Sequence, residues 1–233
     1  ATLPPDALLL RYWTSTRHLS IFKRSNLIPP LQVWGDGRVI WLAEGSSLYN
    51  DRQLNQGYLT PDQLAQLQTN IQQSGFYTWP ERYGPTLSGR AETFLTIQLP
   101  NQDARFLHAF GDPSPEFATL KQQILAIPSQ INNPQPFHPE TGLLEVAGPI
   151  DTIPVTDQPI WPATGPDLSQ IPPDGMIITG ETLDFAWTQI NTITYVPHYV
   201  QQNNQIYQIT LAIPGISSCT GNYPQPFYIQ GCS

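Results

Sequence analysis

Hydrophobic and polar residues alternate over several short stretches of the chain, which is the pattern of half-buried β-strands. The stretches lie at residues 7–14, 31–42, 93–99 and 104–110. Within 31–42, Gly35-Asp36-Gly37 separates two alternating runs, and Asp-Gly between such runs is typical of a hairpin turn. Residues 100–103 have turn composition and separate the last two stretches. The pattern therefore predicts an N-terminal antiparallel sheet that is built from hairpins.

Two further stretches have helical periodicity instead. The first, residues 60–75, begins with an N-cap threonine, places Pro61 at the first helical position and carries Gln63 where it completes a capping box. The second, residues 115–127, follows Ser114 as its N-cap and has an apolar stripe at helical spacing. Strands, helix, hairpin and helix together predict an α+β domain over residues 1–128, with two helices on one face of the sheet.

Proline changes the character of the chain after this domain. The chain has 25 prolines, and they are dense in residues 129–174, where no helical period is present. Proline cannot donate to a strand ladder, so we expect an extended segment without a central strand. Embedded apolar residues such as Ile160 and Trp161 favour packing on the first domain, and a semi-rigid linker is the alternative.

The remaining residues, 175–233, read as a β-rich C-terminal region. Met176–Ile190 is predicted as β-structure, and residues 192–213 as a hairpin that turns at Asn203-Asn204. Glu181 and Asp184 would then point to opposite faces of a strand, so they form no pair for acid–base work.

The chain has two cysteines, Cys219 and Cys232, near its C-terminus in a stretch rich in proline and glycine. A metal site needs more ligands than these, and no histidine lies beside them. We expect a disulfide that closes a terminal loop and contributes about 3 kcal/mol in the loop-entropy description, with two reduced thiols as the alternative. A disulfide indicates an oxidising compartment.

Charge is distributed unevenly along the chain. The net charge is −8, and the last basic residue is Lys121. Residues 1–121 sum to zero, whereas residues 122–233 contain eight acidic residues and no lysine or arginine. This excludes nucleic-acid and anionic-membrane binding through basic side chains in the C-terminal half. That half can attract a cationic partner, or its acids merely keep a proline-rich segment soluble.

Motifs of the large enzyme classes are absent from the sequence. No nucleophile elbow, phosphate loop, dinucleotide-binding glycine motif or zinc-protease motif occurs. The four histidines, at positions 18, 108, 138 and 198, are not spaced as metal ligands, and His108 is expected on a sheet face beside Phe106 and Phe110. We therefore predict no catalytic residue, no cofactor and no metal.

Aromatic residues suggest one binding alternative. Trp34 and Trp41 lie on either side of the turn in the 31–42 hairpin, at positions that we expect to pair across the strands. An exposed pair of this kind could bind a sugar or a peptide. The structural alternative is that both rings pack in the core or against the neighbouring strand.

Three segments resemble a loose group of exported bacterial proteins of unknown function, many of them lipoprotein-like. They are Leu31–Trp41, Gly57–Leu64 and Ser74–Tyr77, and the resemblance covers residues 7–128. It implies the α+β fold and export, and no activity. The glutamine-rich, lysine-poor composition is similar to that of cyanobacterial proteins, which implies the periplasm or the thylakoid lumen and an accessory role at a membrane complex.

These observations lead to three functional hypotheses. The first is a non-enzymatic extracytoplasmic accessory or protein-interaction protein, attached to the membrane through a lipidated N-terminus because the chain starts at Ala1 without Met. The second is a periplasmic sugar- or peptide-binding module that uses Trp34 and Trp41. The third is a hydrolase that the motifs do not reveal, which would need a His, a carboxylate and a Ser within hydrogen-bond reach.

Overall fold

The computed structural model describes residues 2–15, 28–44, 53–85, 91–154, 158–192 and 198–217. These residues form two compact units. The first contains residues 2–15, 29–43, 54–85 and 91–137, and the second contains residues 28, 44, 53, 138–154, 158–192 and 198–217. The fold class is α+β, as predicted. Twelve strands in two mainly antiparallel sheets and three α-helices are present in the described part of the chain.

The first unit is built on an eight-stranded sheet with the order β5-β7-β6-β1-β2-β3-β4-β8. Only the β5–β7 pair among these described neighbours is parallel. Both predicted hairpins, β2–β3 and β6–β7, are confirmed. The elements of this unit are β1 (Leu8–Ser15), β2 (Leu31–Trp34), β3 (Arg38–Leu42), β4 (Leu54–Tyr58), α1 (Pro61–Gln73), β5 (Arg82–Tyr83), β6 (Glu92–Ile97), β7 (Arg105–Phe110), α2 (Pro115–Leu125) and β8 (Gln135–Pro136).

Local capping residues determine where the two helices begin. The Thr60 hydroxyl accepts a hydrogen bond from the Gln63 backbone N–H at 3.2 Å, and the Gln63 side chain accepts one from the Thr60 N–H at 2.8 Å. Gly75, with φ of 80°, provides the left-handed residue that follows α1. In α2 the Ser114 hydroxyl accepts from the Phe117 N–H at 3.1 Å. Both predicted helices and their N-caps are therefore confirmed.

The core of the first unit contains one sheet face and the apolar sides of both helices. Ile71 of α1 and Phe117 of α2 are fully buried in one cluster with sheet residues such as Leu95 and Leu107. Burial raises the pKa of Tyr12, in the same cluster, to about 12. Burial of this apolar surface is the main contribution to the stability of the unit.

The second unit is a four-stranded antiparallel sheet with the order β10-β9-β12-β11 and one helix. Its elements are β9 (Gly142–Ala147), β10 (Met176–Ile178), α3 (Gly180–Thr192), β11 (His198–Gln202) and β12 (Gln205–Ala212). Asn203 and Asn204 have φ of 52° and 60° and form the turn between β11 and β12. The predicted asparagine turn is thus confirmed, since these are the angles of a tight hairpin turn.

The prediction of β-structure throughout Met176–Ile190 is wrong beyond Ile178. A helix, α3, begins at Gly180 and continues to Thr192. Its buried residues Leu183, Ala186 and Ile190 recur at helical spacing. The β-branched and aromatic residues between them favour a strand by composition. The segment is nevertheless a helix, because the helical spacing of its apolar residues lets one side pack in the core.

The expectation that residues 129–174 lack a central strand is also wrong. β9 lies inside this segment and pairs with β10 on one side and β12 on the other. The physical reason is local, because no proline lies between Pro139 and Pro149, so β9 keeps all its backbone donors. Gly142 at its start leaves space for neighbouring side chains. A Cβ there would lie 2.5 Å from Leu211 Cδ1 and 2.7 Å from Leu183 Cδ1.

Candidate interaction surface

Residues 138–217, which make up most of the described second unit, expose carboxylates and contain no lysine or arginine. No lysine or arginine occurs after Lys121 in the sequence, so no Lys or Arg ion pair can form within residues 138–217. Among the described acidic residues of this segment, Glu145 is half-buried and its Oε2 accepts a hydrogen bond from Thr210 Oγ1 at 2.9 Å. The others are exposed, and we name them the acidic surface: Glu140, Asp151, Asp167, Asp174, Glu181 and Asp184.

Several of these carboxylates are positioned by neutral hydroxyl and amide groups. Asp167 Oδ1 accepts from the Ser169 N–H at 3.0 Å and from Ser169 Oγ at 2.8 Å, in the 3-10 turn Leu168–Gln170. Glu181 Oε2 lies 3.4 Å from Thr164 Oγ1. Such partners orient a carboxylate and leave its charge in place, so the surface remains anionic.

The helix α3 brings together two acidic residues, Glu181 and Asp184, which the predicted strand would have separated. Glu181 and Asp184 are three residues apart on α3, so they lie on neighbouring positions of one helix side, and both are exposed. The prediction that they point to opposite faces of a strand is therefore wrong. Two like charges at this spacing repel each other, which favours an approaching cation.

Several charged residues of the first unit, by contrast, have partners within that unit. Lys121 Nζ lies 2.6 Å from Asp112 Oδ1. The Arg105 guanidinium donates to the carbonyl oxygens of Tyr77 and Trp79. Arg11 donates through Nε and Nη2 to Gln32 Oε1 at 3.2 and 3.1 Å. These charged side chains of the first unit therefore stabilise its own fold.

His108 lies on the face of β7, as predicted, within a row of aromatic rings. Its ring centroid is 4.3 Å from that of Phe94 and 4.2 Å from that of Phe110. Its Nε2 is 3.2 Å from Glu92 Oε2. Burial lowers the pKa of His108 from its usual 6.5, Arg82 acts in the same direction, and Glu92 opposes both.

Trp34 and Trp41 do not form an aromatic face. Both are buried, with 3% and 6% of their surface exposed. Trp41 lies opposite Leu31 in the register of β2 and β3, whereas Trp34 lies opposite Leu8 of β1. The expected pairing of the two rings is wrong because the strand alternation places them on opposite faces of the sheet.

The guanidinium of Arg38 lies over Trp34, at 4.3 Å from the ring centroid. The hairpin pattern in the sequence contains a signal for this contact that was not among the predictions above. A three-residue Gly-Asp-Gly turn places the residues immediately before and after it opposite each other.

Other candidate chemistry is limited in the described residues. His138 and Glu140 are exposed, and no three His, Cys, Asp or Glu side chains of the described part could together hold a metal ion. Cys219 and Cys232 lie outside the described residues, so their disulfide stays a prediction. Among the helices that the structure describes, none is long and apolar enough to cross a membrane.

Comparisons of this chain with protein-family models, with curated proteins and with solved structures found no match.

Proposed function

We propose that this chain is a non-enzymatic interaction protein that works outside the cytoplasm and docks the acidic surface of its second unit on a cationic protein partner. One observation carries the proposal: the exposed carboxylates of the unit stand in a stretch of sequence without a single lysine or arginine. The acidic surface would suit a protein partner that exposes lysines and arginines, such as a subunit of a membrane complex.

Electrostatic attraction supports this proposal in two ways. Unneutralised charges of one sign attract a partner of the opposite sign over about 8–10 Å at physiological salt, and they accelerate association. A partner that brings lysines and arginines would also remove the repulsion between neighbouring carboxylates such as Glu181 and Asp184. Both effects weaken as salt rises, so the interaction should depend strongly on ionic strength.

The extracytoplasmic location rests on the predicted disulfide between Cys219 and Cys232, since such bonds persist in oxidising compartments. A sugar-binding function built on Trp34 and Trp41 is not proposed, because both rings are buried.

The test uses a lysine decapeptide as the cationic probe and isothermal titration calorimetry as the readout. A triple variant removes three charges from the acidic surface: Asp174→Asn, Glu181→Gln and Asp184→Asn. We expect its affinity for the peptide to fall roughly threefold to tenfold at low salt, at a few tenths of a kcal/mol for each exposed charge. The affinity of the parent chain should fall as salt is raised.

A matched control removes three exposed carboxylates from the first unit: Asp62→Asn, Glu81→Gln and Asp103→Asn. Both triple variants have the same net charge, so a specific acidic surface predicts that only the first loses affinity. Equal loss in both variants, or no salt dependence in the parent chain, would contradict the proposal.

A further inference from the structure

Arg38 differs from the other half-buried arginines of the first unit in what its guanidinium contacts. Arg105 donates to two backbone carbonyl oxygens, and Arg11 donates to Gln32. In the described part of the chain, the Nε atoms of Arg38 and Arg105 are both buried without a partner, but only the Arg38 side chain has no acceptor for its other N–H groups either. A buried donor without an acceptor is costly and rare in folded proteins, so this group needs an explanation.

The position of Arg38 is set by the sheet. Trp34 and Arg38 face each other across the Gly-Asp-Gly turn, and the guanidinium lies 4.3 Å from the indole centroid. Trp34 is 3% exposed, so it forms a rigid base under the cation. A guanidinium that stacks on an aromatic ring keeps its N–H groups in one plane, ready for a planar partner at its edge.

Two more hydrogen-bonding side chains lie on the same face beside Arg38. Tyr58 is opposite Arg38 in the register of β3 and β4, and it is 60% exposed. Gln56 is two residues earlier on β4 and therefore on the same face. Within the described residues, neither the Tyr58 hydroxyl nor the Gln56 amide has a hydrogen-bond partner. The Arg38, Gln56 and Tyr58 side chains thus share one face of the sheet on the neighbouring strands β3 and β4.

We propose that Arg38, Gln56 and Tyr58 form a binding site for a carboxylate group, with Trp34 as its base and the Tyr58 ring as an apolar wall. Carboxylate matches the fork of a guanidinium with two parallel hydrogen bonds. Asp36 lies in the adjacent turn, where its Oδ1 accepts from the Arg38 backbone N–H at 2.9 Å. The negative charge of Asp36 repels a phosphate dianion more strongly than a singly charged carboxylate, so we infer that the ligand group is a carboxylate.

The Tyr58 ring suggests what accompanies the carboxylate. An exposed aromatic ring next to a cation can cover an apolar or aromatic group of the ligand. The site therefore fits a carboxylate that has such a group nearby, as at the C-terminus of a peptide. It belongs to the first unit and is independent of the acidic surface.

The experiment titrates the full chain, labelled with ¹⁵N, with N-acetylphenylalanine. N-acetylphenylalanine amide, in which a carboxamide replaces the carboxylate, serves as the neutral probe. Inorganic phosphate serves as the competing oxyanion. We expect the Arg38 Nε–Hε and Trp34 indole resonances to shift saturably with the carboxylate, with a dissociation constant that is roughly millimolar for so small a ligand. The neutral amide should cause no saturable shift.

Variants then assign the effect to the site. Arg38→Gln should weaken binding at least about tenfold, and Arg38→Lys, which keeps the charge and loses the fork, about fivefold. Arg82→Gln is the control, because Arg82 is exposed on β5 of the same sheet and lies 5.8 Å from the Phe110 ring. Binding should be unchanged in this variant, and circular dichroism checks that all variants remain folded.

Three results would overturn the proposal. The first is a carboxylate titration that leaves the Arg38 and Trp34 resonances in place. The second is tighter binding of phosphate than of carboxylate at these resonances. The third is an equal loss of affinity in folded Arg38→Gln and Arg82→Gln variants.

Discussion

The two units hold their polar segments together with different chemistry. In the first unit, charged side chains serve this purpose, as in the contact between Lys121 and Asp112 at 2.6 Å. In the second unit, neutral side chains replace them. Gln202 Oε1 accepts from the Leu168 N–H at 2.7 Å, and its Nε2 donates to the Pro166 carbonyl oxygen at 3.1 Å. A stretch of chain without lysine or arginine, residues 138–217, can therefore fix its proline-rich part with neutral side chains and leave its carboxylates in water.

Proline explains why amide and indole side chains suit this purpose. A proline-rich segment offers carbonyl oxygens and few N–H groups, so it needs donors from elsewhere. Trp161 Nε1 supplies one to the Pro166 carbonyl at 3.1 Å, and Gln202 supplies another. The backbone of Gln201 adds two more bonds, one with Pro159 and one with Trp161. The segment is thereby anchored beside β11 by neutral groups of the described residues.

The largest expected effect concerns the core of the first unit. Phe117→Ala removes a fully buried ring that packs on Trp79 and Tyr83, with centroids at 5.9 and 6.1 Å. The free energy of unfolding in urea should fall by about 3–5 kcal/mol, because the cavity adds to the lost burial. Leu125→Ala, on the exposed end of the same helix, should cost less than about 1 kcal/mol. Similar losses in the two variants would show that the assigned core is wrong.

A smaller effect should appear in the second unit. Gln202→Ala leaves the Leu168 N–H and one bond of the Pro166 carbonyl without a partner, at a cost of about 1–3 kcal/mol. Gln201→Ala is the matched control, since the hydrogen bonds of that residue with Pro159 and Trp161 are made by its backbone. Urea unfolding of both variants compares them. If the Gln201→Ala variant lost as much stability, the side-chain hydrogen bonds of Gln202 would not be what stabilises the proline-rich segment.

The smallest effect is a pH dependence in the first unit. Because burial lowers the pKa of His108, the unfolded chain binds this proton more readily than the folded chain. Stability should therefore fall as pH drops below 6.5, until His108 is also protonated in the folded state. In His108→Gln this part of the pH dependence should vanish, whereas His138→Gln, at an exposed residue, should retain it. Thermal unfolding between pH 7.5 and 5 measures the difference, and identical profiles for all three chains would refute this assignment.

Local signals in the sequence predicted most elements of the first unit and one turn of the second. The capping box of Thr60 and Gln63, the Gly-Asp-Gly turn and the asparagine turn of β11–β12 all depend on a few adjacent residues. Such signals act within one turn, so tertiary contacts did not override them.

The errors arose where composition concealed a local pattern. Counting prolines over 129–174 concealed the proline-free interval that forms β9, and the aromatic residues near Phe185 concealed the helical spacing of Leu183, Ala186 and Ile190. The candidate surfaces were harder to predict. The sequence revealed the missing basic residues, but exposure of the carboxylates depends on the tertiary fold, as does the absence of an acceptor for Arg38.

Mapping where a cation binds tests directly whether the acidic surface is the docking site. The ¹⁵N-labelled chain is titrated with the lysine decapeptide, and backbone amide shifts are recorded for both units. We expect the largest shifts to cluster around the acidic surface, for example at Asp174, Glu181 and Asp184, and to shrink as salt is added. Largest shifts around Asp62, Glu81 and Asp103 of the first unit, or equal shifts over both units, would contradict it.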